Sequence, residues 1–151
     1  MTDITEEQAR QMEAGPELDR LVLTGFFGWE AHDTCGHRKM DGRSTTTAVL
    51  FGPESDFDLF GTIRCNAKSP PPFSTDWSAA GPLLEAMNDI SHIIVESIDY
   101  DEWVVTAQDL EPGPGIIWEY SATAPTPKLA IARACAVLVA CGITRDDLEV
   151  R

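Results

Sequence analysis

The sequence predicts an α+β fold, a three-layer α/β/α sandwich in which helices cover both faces of an antiparallel sheet. A strand-like run, Ile116–Ser121, leads directly into the most apolar helix pattern of the chain, Lys128–Cys141. Two further strand-like runs, Ser91–Ile98 and Glu102–Gln108, have the spacing and the acidic turn of a hairpin. Apolar residues fall on both faces of these strands, whereas strands with one solvated face would alternate apolar and polar residues more strictly. We therefore expect both faces of the sheet to be covered.

The N-terminal residues predict two short helices. Thr5 and Gln8 have the spacing of a capping box, which predicts a helix that ends near Glu13. Pro16 suits the first position of a second helix, because its missing N–H would be unpaired there anyway, and Gly25 ends that helix. Three aromatic residues follow in a loop, where we expect them to plug the edge of the core: Phe26, Phe27 and Trp29.

Residues 30–73 are predicted as an insertion into a single domain of residues 1–151. The segment is polar at first, and then Thr45–Phe51 and Phe57–Arg64 have the pattern of a β-hairpin around a turn that contains Gly-Pro. A run of three prolines, Pro70–Pro72, then stiffens an extended connector.

The middle helix is predicted to start at an N-cap, either Ser74 or Asp76. Gly81 and Pro82 should kink this helix or delay its start, since proline cannot donate the backbone hydrogen bond of a helix interior. Its buried face is predicted to consist of three residues: Leu83, Leu84 and Met87.

The terminal helix has clear start and stop signals. Thr126 is predicted as its N-cap, Pro127 as its first residue and Gly142 as the residue that stops it. Only Lys128 and Arg133 are charged within it, so its apolar surface is wide and predicts deep burial. That surface consists of two adjacent stripes: Ala130, Ala134, Val137 and Cys141, and Ile131, Cys135 and Leu138.

Composition narrows the class of protein. The chain has 151 residues and a net charge of −14, which repels duplex DNA and anionic membranes and favours a partner with a basic surface. No apolar run is long enough to predict a membrane span, and the acidic N-terminus lacks the pattern of a secretory signal. Two of the four cysteines lie inside the apolar helix, so we predict a reducing, cytoplasmic location without a disulfide framework.

Three segments share a pattern with one family of phage proteins. The first is AGPELD at Ala14–Asp19, which is followed downstream by Gly28–Trp29. The second is the helix start FSTDWSAA at Phe73–Ala80, and the third is the ending PTPKLAIARA at Pro125–Ala134. In this order they resemble the small phage proteins that carry the "phage ABA sandwich" domain, with Cys135 in place of a final alanine. The resemblance implies a phage or prophage gene and a three-layer fold, and it indicates no particular activity because the family is largely uncharacterised. We predict a place in the host cytoplasm.

One loop carries residue types that bind zinc. His32, Cys35 and His37 lie close together in the chain, and the predicted hairpin could bring Cys65 back as a fourth ligand. Such a zinc ion would be structural, because four protein ligands leave no open position. The alternative is a surface loop with free thiols and two solvated histidines.

Acidic residues cluster at two turns. Asp99, Asp101 and Glu102 could chelate a divalent cation, but aspartate is common in a solvated hairpin turn, and we favour that interpretation. Turn chemistry and solvation are also predicted for a second cluster: Glu54, Asp56 and Asp58.

The sequence contains no recognisable catalytic motif. A nucleophile would need a nearby base, and of the three histidines His92 lies in a strand rich in isoleucine. The chain lacks a G-x-S-x-G, a P-loop and a G-x-G-x-x-G motif. We therefore predict a protein that is not an enzyme.

A flat ligand could stack on a tryptophan ring. Trp103 and Trp118 are predicted to belong to the core, whereas Trp77, in the first turn of its helix, is predicted to be partly exposed. A phosphate group would need cations or helix N-termini. The predicted ligand-binding set combines that ring with three of the few cations: Trp77, Arg64, Lys128 and Arg133.

The leading functional hypothesis is a non-enzymatic phage accessory protein that acts by binding, as an anti-defence factor that sequesters a small nucleotide signal. The pocket would lie between the protomers of a homo-oligomer. The alternative is an acidic inhibitor that occupies a basic, nucleic-acid-binding surface of a host protein. A third interpretation is a structural phage domain without catalytic role.

Overall fold

The structure, a computed structural model, describes residues 4–34, 47–66, 69–109 and 118–145, and within them it confirms the α+β class. The described helices are α1 (Glu6–Gln11), α2 (Pro16–Leu21), α3 (Phe57–Phe60), α4 (Trp77–Ile90) and α5 (Pro127–Ala140). The strands form two antiparallel sheets. The first sheet contains β1 (Glu30–Thr34), β2 (Thr47–Phe51) and β3 (Arg64–Asn66), and the second contains β4 (Ser91–Asp99), β5 (Glu102–Asp109) and β6 (Glu119–Ala124). In each sheet the strands lie in sequence order.

The N-terminal helices begin where the sequence predicts. The Gln8 backbone N–H donates to the Thr5 hydroxyl at 3.1 Å, and the Thr5 N–H donates to the Gln8 side chain at 3.0 Å, so the capping box is confirmed. Pro16 opens α2, which continues through a π-helical turn, Val22–Phe26. Within that turn Gly25 lies against the Val139 side chain, and a Cβ at this position would collide with it.

The first sheet replaces the predicted hairpin of residues 30–73. The predicted second strand, Phe57–Arg64, is wrong in its first half, because Phe57–Phe60 is the short helix α3. That helix ends at Gly61, whose φ is +70°. The ring of Phe60 packs edge-to-face against Phe27 and Trp29 at 5.1 and 5.5 Å, so tertiary packing outweighs the strand-like pattern. The sheet also contains β1, a polar strand that the sequence did not predict.

The second sheet confirms the hairpin of β4 and β5 and corrects the position of the third strand. The sequence predicted a strand at Ile116–Ser121, whereas β6 covers Glu119–Ala124, and Ile116 lies outside the described residues. Ala122 and Ala124 are buried, and their small side chains allow the strand to continue against α5 up to the helix N-cap.

Helix α4 begins at the predicted N-cap, Asp76, and runs without a delayed start through Pro82. Leu83 and Met87 are buried as predicted, and Leu84 is half-buried. The first turns therefore form before the proline, whose missing N–H removes one helical hydrogen bond without ending the helix.

Helix α5 is the buried centre of the molecule. Thr126 caps it, Pro127 opens it and Gly142 follows it with φ of +79°, as predicted. Ten of its residues are buried, which confirms the two apolar stripes apart from the half-buried Cys141. One side of the helix contacts β5 and β6, and another contacts α1, α2 and the π-helical turn.

The described residues do not confirm the predicted three-layer sandwich. Leu50 of the first sheet lines a cleft together with Met12 and Leu21 of the N-terminal segment. The other face of the second sheet, with His92 and Glu96, is exposed. The apolar residues on the same face are half-buried: Ile94 and Val104.

Two arginines close the outer edge of β6. Arg10 donates from Nε to the Ser121 carbonyl at 3.0 Å, and Arg133 donates from Nη1 to the Thr123 carbonyl at 3.0 Å. Arg133 also donates from Nε to the Met12 carbonyl at 2.7 Å, and burial lowers the pKa of its guanidinium. These bonds join α1, α5 and β6.

None of the helices described crosses a membrane, since none is long and apolar enough.

Candidate functional site

Two of the predicted ligand residues lie at neighbouring helix N-termini. Trp77 is the first residue of α4, and its side chain is 50% exposed, as the sequence predicted. Lys128 is the second residue of α5, which packs against α4. The Lys128 charge acts on the carboxyl of Asp76, the N-cap that directly precedes Trp77. An exposed indole ring, an ammonium group and two helix N-termini therefore share one surface.

The electrostatics of this surface combine both signs of charge. The Ser78 N–H donates to Asp76 Oδ1 at 2.9 Å, and this hydrogen bond lowers the pKa of the Asp76 carboxyl, with Lys128 adding to the effect. Each helix has 14 residues and presents the positive end of its dipole here. The surface can thus attract an anion, but the carboxylate opposes one placed directly at the α4 terminus.

Arg133 and Arg64 are not brought to this surface. Arg133 follows Lys128 by five residues, which places it about 140° around a helix of 3.6 residues per turn. Its guanidinium is bound to the Met12 and Thr123 carbonyls instead. Arg64 is exposed on β3 of the first sheet. The predicted set of four residues is therefore divided into three places.

The predicted zinc ligands are only partly covered by the structure. Cys35 and His37 lie outside the described residues, so the complete set stays a prediction. His32 pairs with Val49 in the backbone register, and Cys65 pairs with Leu50, so the two lie on outer strands of the same sheet, separated by β2. Within the described residues no group of three or more His, Cys, Asp or Glu side chains is arranged to hold a metal ion.

The described cysteines are free thiols in apolar or hydrogen-bonded places. Burial raises the pKa of the Cys65 thiol and raises that of Cys135 well above its usual value. Burial also raises the pKa of Cys141, whose thiol donates to Glu6 at 3.2 Å. Each of these thiols is therefore held in the protonated form, which is a poor nucleophile.

One acidic residue that was predicted to be solvated is buried. Asp56 is 1% exposed, and its carboxylate accepts hydrogen bonds from Trp29 Nε1 at 2.6 Å and from both terminal nitrogens of Arg145. Arg145 also donates to the Phe27 carbonyl at 2.9 Å and lies over the Phe27 ring at 5.0 Å. No local sequence pattern identifies this cluster, because its members are far apart in the chain and meet only through packing.

The turn between β4 and β5 agrees with the interpretation of a solvated hairpin. Asp99 Oδ1 accepts from the Tyr100 N–H at 2.7 Å, which is a common use of aspartate in turns. Asp101 and Glu102 are exposed, and the Tyr100 side chain is 98% exposed. The hairpin tip is thus an aromatic ring surrounded by negative charge.

Two clefts among the described residues lie away from Trp77 and Lys128. A cleft of about 810 Å³ at the C-terminal end of α5 is lined by residues that include Trp29 and Cys141, with no charged side chain among its described lining. A second cleft of about 540 Å³ lies between the N-terminal helices and Leu50. Both volumes are typical of small-molecule pockets. Neither of these two clefts includes Trp77 or Lys128.

Comparisons with protein-family models, with curated proteins and with solved structures found no match to this chain. The resemblance to the phage sandwich family therefore stays a prediction that rests on the three sequence motifs.

Proposed function

We propose that this chain is a non-enzymatic phage accessory protein that sequesters a small nucleotide in the host cytoplasm. The observation that carries the proposal is the half-exposed Trp77 ring at the α4 N-terminus, with Lys128 of α5 near enough to lower the pKa of the adjacent Asp76 carboxyl. A nucleotide has the two groups that this surface can recognise, a flat base and a negatively charged phosphate.

Each group has a defined place in the proposed complex. The base stacks on the Trp77 ring, a contact worth about 1–3 kcal/mol per base. The phosphate lies toward Lys128 and the α5 N-terminus, where the helix dipole and the ammonium group both favour an anion. Asp76 accepts hydrogen bonds from ribose hydroxyls and keeps the phosphate away from the α4 terminus. A second copy of the chain closes this open surface into a pocket.

Thermal unfolding in the presence of cyclic and ADP-ribose-type nucleotides tests the proposal. We expect at least one nucleotide to raise the melting temperature, because a ligand that binds only the folded state stabilises it by mass action. Trp77→Ala and Lys128→Ala should remove that shift, whereas Tyr100→Ala, which removes another exposed aromatic ring, should leave it unchanged. The absence of a shift with any nucleotide, or an undiminished shift in Trp77→Ala, would contradict the proposal.

The hairpin tip favours a second candidate, an acidic protein that inhibits a basic host protein. Tyr100 is almost fully exposed between Asp99 and Asp101, and the chain has a net charge of −14. Exposed tyrosines are common anchors at interfaces, and the surrounding carboxylates complement a basic surface. Capture of one basic protein from host lysate at low salt, and its loss with Tyr100→Ala, would favour this candidate over nucleotide binding.

A further inference from the structure

The two edges of the second sheet differ. On the β6 edge, the Ser121 and Thr123 carbonyls already accept hydrogen bonds from arginine side chains. On the β4 edge, the described residues contain no neighbouring strand, since β4 pairs only with β5. Val95 and Ile98 of β4 are 37% and 58% exposed. The β4 edge is therefore the one that can accept another strand.

The register of the sheet shows which backbone groups face this open edge. Both groups of a residue in an antiparallel strand point to the same neighbour, and successive residues alternate in direction. Ser121 and Thr123 point away from β5, so Ala122 points toward it, and its partner Val105 points toward β6. It follows that Thr106 and its partner Ile94 point toward each other. Ser91, Ile93, Val95 and Ser97 point toward this edge, but Ser91 is fully buried, so the accessible backbone groups belong to Ile93, Val95 and Ser97.

The regular part of β4 has a natural centre. Pairing with β5 is continuous from Ser91 to Ser97 and is then interrupted by an irregularity between Ser97 and Asp99. Such a bulge twists a strand and limits further pairing. Ile94 is the middle residue of this regular run.

We propose that β4 pairs antiparallel with β4 of a second copy of this chain, about a two-fold axis at Ile94. The three-stranded sheets of the two copies then form one continuous sheet. Ile93 of each copy lies opposite Val95 of the other, and this pair exchanges backbone hydrogen bonds across the open edge. The pairing does not depend on nucleotide binding.

The side chains of the two copies complement each other in this register. His92 of each copy lies opposite Glu96 of the other, and its imidazole can donate a hydrogen bond to that carboxylate. Ile94 lies opposite itself. Apolar and acid–imidazole residues therefore each meet a compatible partner, and such cross-strand pairs are the units that stabilise a sheet.

Other symmetric registers are less favourable. An axis at Val95 places Ile94 opposite Glu96, an apolar residue against a charge. An axis at Glu96 places the two copies of that carboxylate against each other, which destabilises the pair. An axis at Ile93 shortens the regular overlap, because α4 ends directly before Ser91. Of these axes, only the one at Ile94 lies at the centre of the regular run and avoids both a like-charge pair and an apolar residue against a charge.

Sedimentation of the full chain across a concentration series tests the association. We expect a concentration-dependent dimer of twice the 16.5 kDa chain mass. Glu96→Lys removes the carboxylate that accepts from the His92 imidazole and should weaken the dimer roughly tenfold, since two symmetric cross-strand pairs are lost. Glu119→Lys on β6 changes the net charge equally and is the matched control. Because it reduces the repulsion between two acidic copies without touching β4, it should not weaken the dimer.

Disulfide crosslinking tests the register. Ile94→Cys places two thiols on directly opposite residues that are not hydrogen-bonded, with Cα atoms about 4.5 Å apart, within the range of a disulfide. Mild oxidation should therefore give a covalent dimer. Glu96→Cys is the control, because its two copies would lie four residues apart along the strands, and it should crosslink no more than the parent chain.

Two results would overturn the inference. A monomer at every concentration would mean that Glu96 and the bulge protect the β4 edge from pairing, as charges and bulges do in many monomers. A dimer that Glu96→Lys and Glu119→Lys affect equally, or that Ile94→Cys fails to crosslink, would mean that the copies associate through another surface.

Discussion

Leu138→Ala is expected to lower the free energy of unfolding by about 2–5 kcal/mol, a large share of the stability of a typical domain. Leu138 lies on α5, is fully buried and belongs to the core cluster of the molecule. The substitution removes apolar contacts and leaves a cavity that closely packed neighbours fill only in part. Urea unfolding of the two proteins measures the difference.

The control for this experiment is an exposed helix position. Glu85 is exposed on α4, so Glu85→Ala should change the free energy of unfolding by no more than about 0.5 kcal/mol. Arg133→Ala should fall between the two, at about 1–2 kcal/mol, because it leaves the Met12 and Thr123 carbonyls without their donors. A neutral Leu138→Ala would mean that α5 is not the centre of the core.

Asp56→Ala is expected to cost about 3 kcal/mol of unfolding free energy. The substitution leaves the buried Trp29 Nε1 and the Arg145 guanidinium without their common acceptor. Breaking a buried ion pair from one side costs about 3–5 kcal/mol. We expect a cost at the lower end of that range because the Arg145 side chain is 22% exposed and can be partly solvated.

Asp58→Ala is the matched control for Asp56→Ala, since it removes the same residue type from an exposed position two residues away. It should change the free energy of unfolding by less than about 0.5 kcal/mol. Asp56→Asn should lie between them, because its amide oxygen can still accept from Trp29 while its charge is lost. Equal effects of Asp56→Ala and Asp58→Ala would contradict the buried ion pair.

Local signals in the sequence predicted the helix ends and the hairpin well. The Thr5 capping box, Pro16, the Asp76 and Thr126 caps and Gly142 act through neighbouring backbone groups, so a few residues contain the information. The hairpin of β4 and β5 is equally local, because its strands are joined by a short turn.

Long-range packing explains what the sequence did not predict. Phe60 is helical because its ring fills a space beside Phe27 and Trp29, which are distant in the chain. Apolar residues on both faces of the second sheet predicted two covering layers, whereas His92 and Glu96 on one face are exposed and Ile94 and Val104 beside them are half-buried. The spacing of apolar residues in the sequence indicates which side chains are buried, but it does not indicate which element covers them.

The candidate site was predicted in part for the same reason. Trp77 was identified from its place in the first turn of a helix, which is a local property. Arg133 was predicted as a ligand because it is one of the few cations near a predicted helix start, whereas it binds the backbone carbonyls of Met12 and Thr123. The burial of Asp56 depends on Arg145, 89 residues away, and no local pattern reveals it.

Native-state hydrogen exchange most directly tests the central claim, that α5 is held between the second sheet and the N-terminal helices. The amides from Ile131 to Leu138 should exchange only through global unfolding, with a protection free energy equal to that from urea unfolding. The exposed turn at Tyr100 should exchange far faster. If the α5 amides exchanged through local opening while β5 stayed protected, the helix would not be the buried centre of this fold.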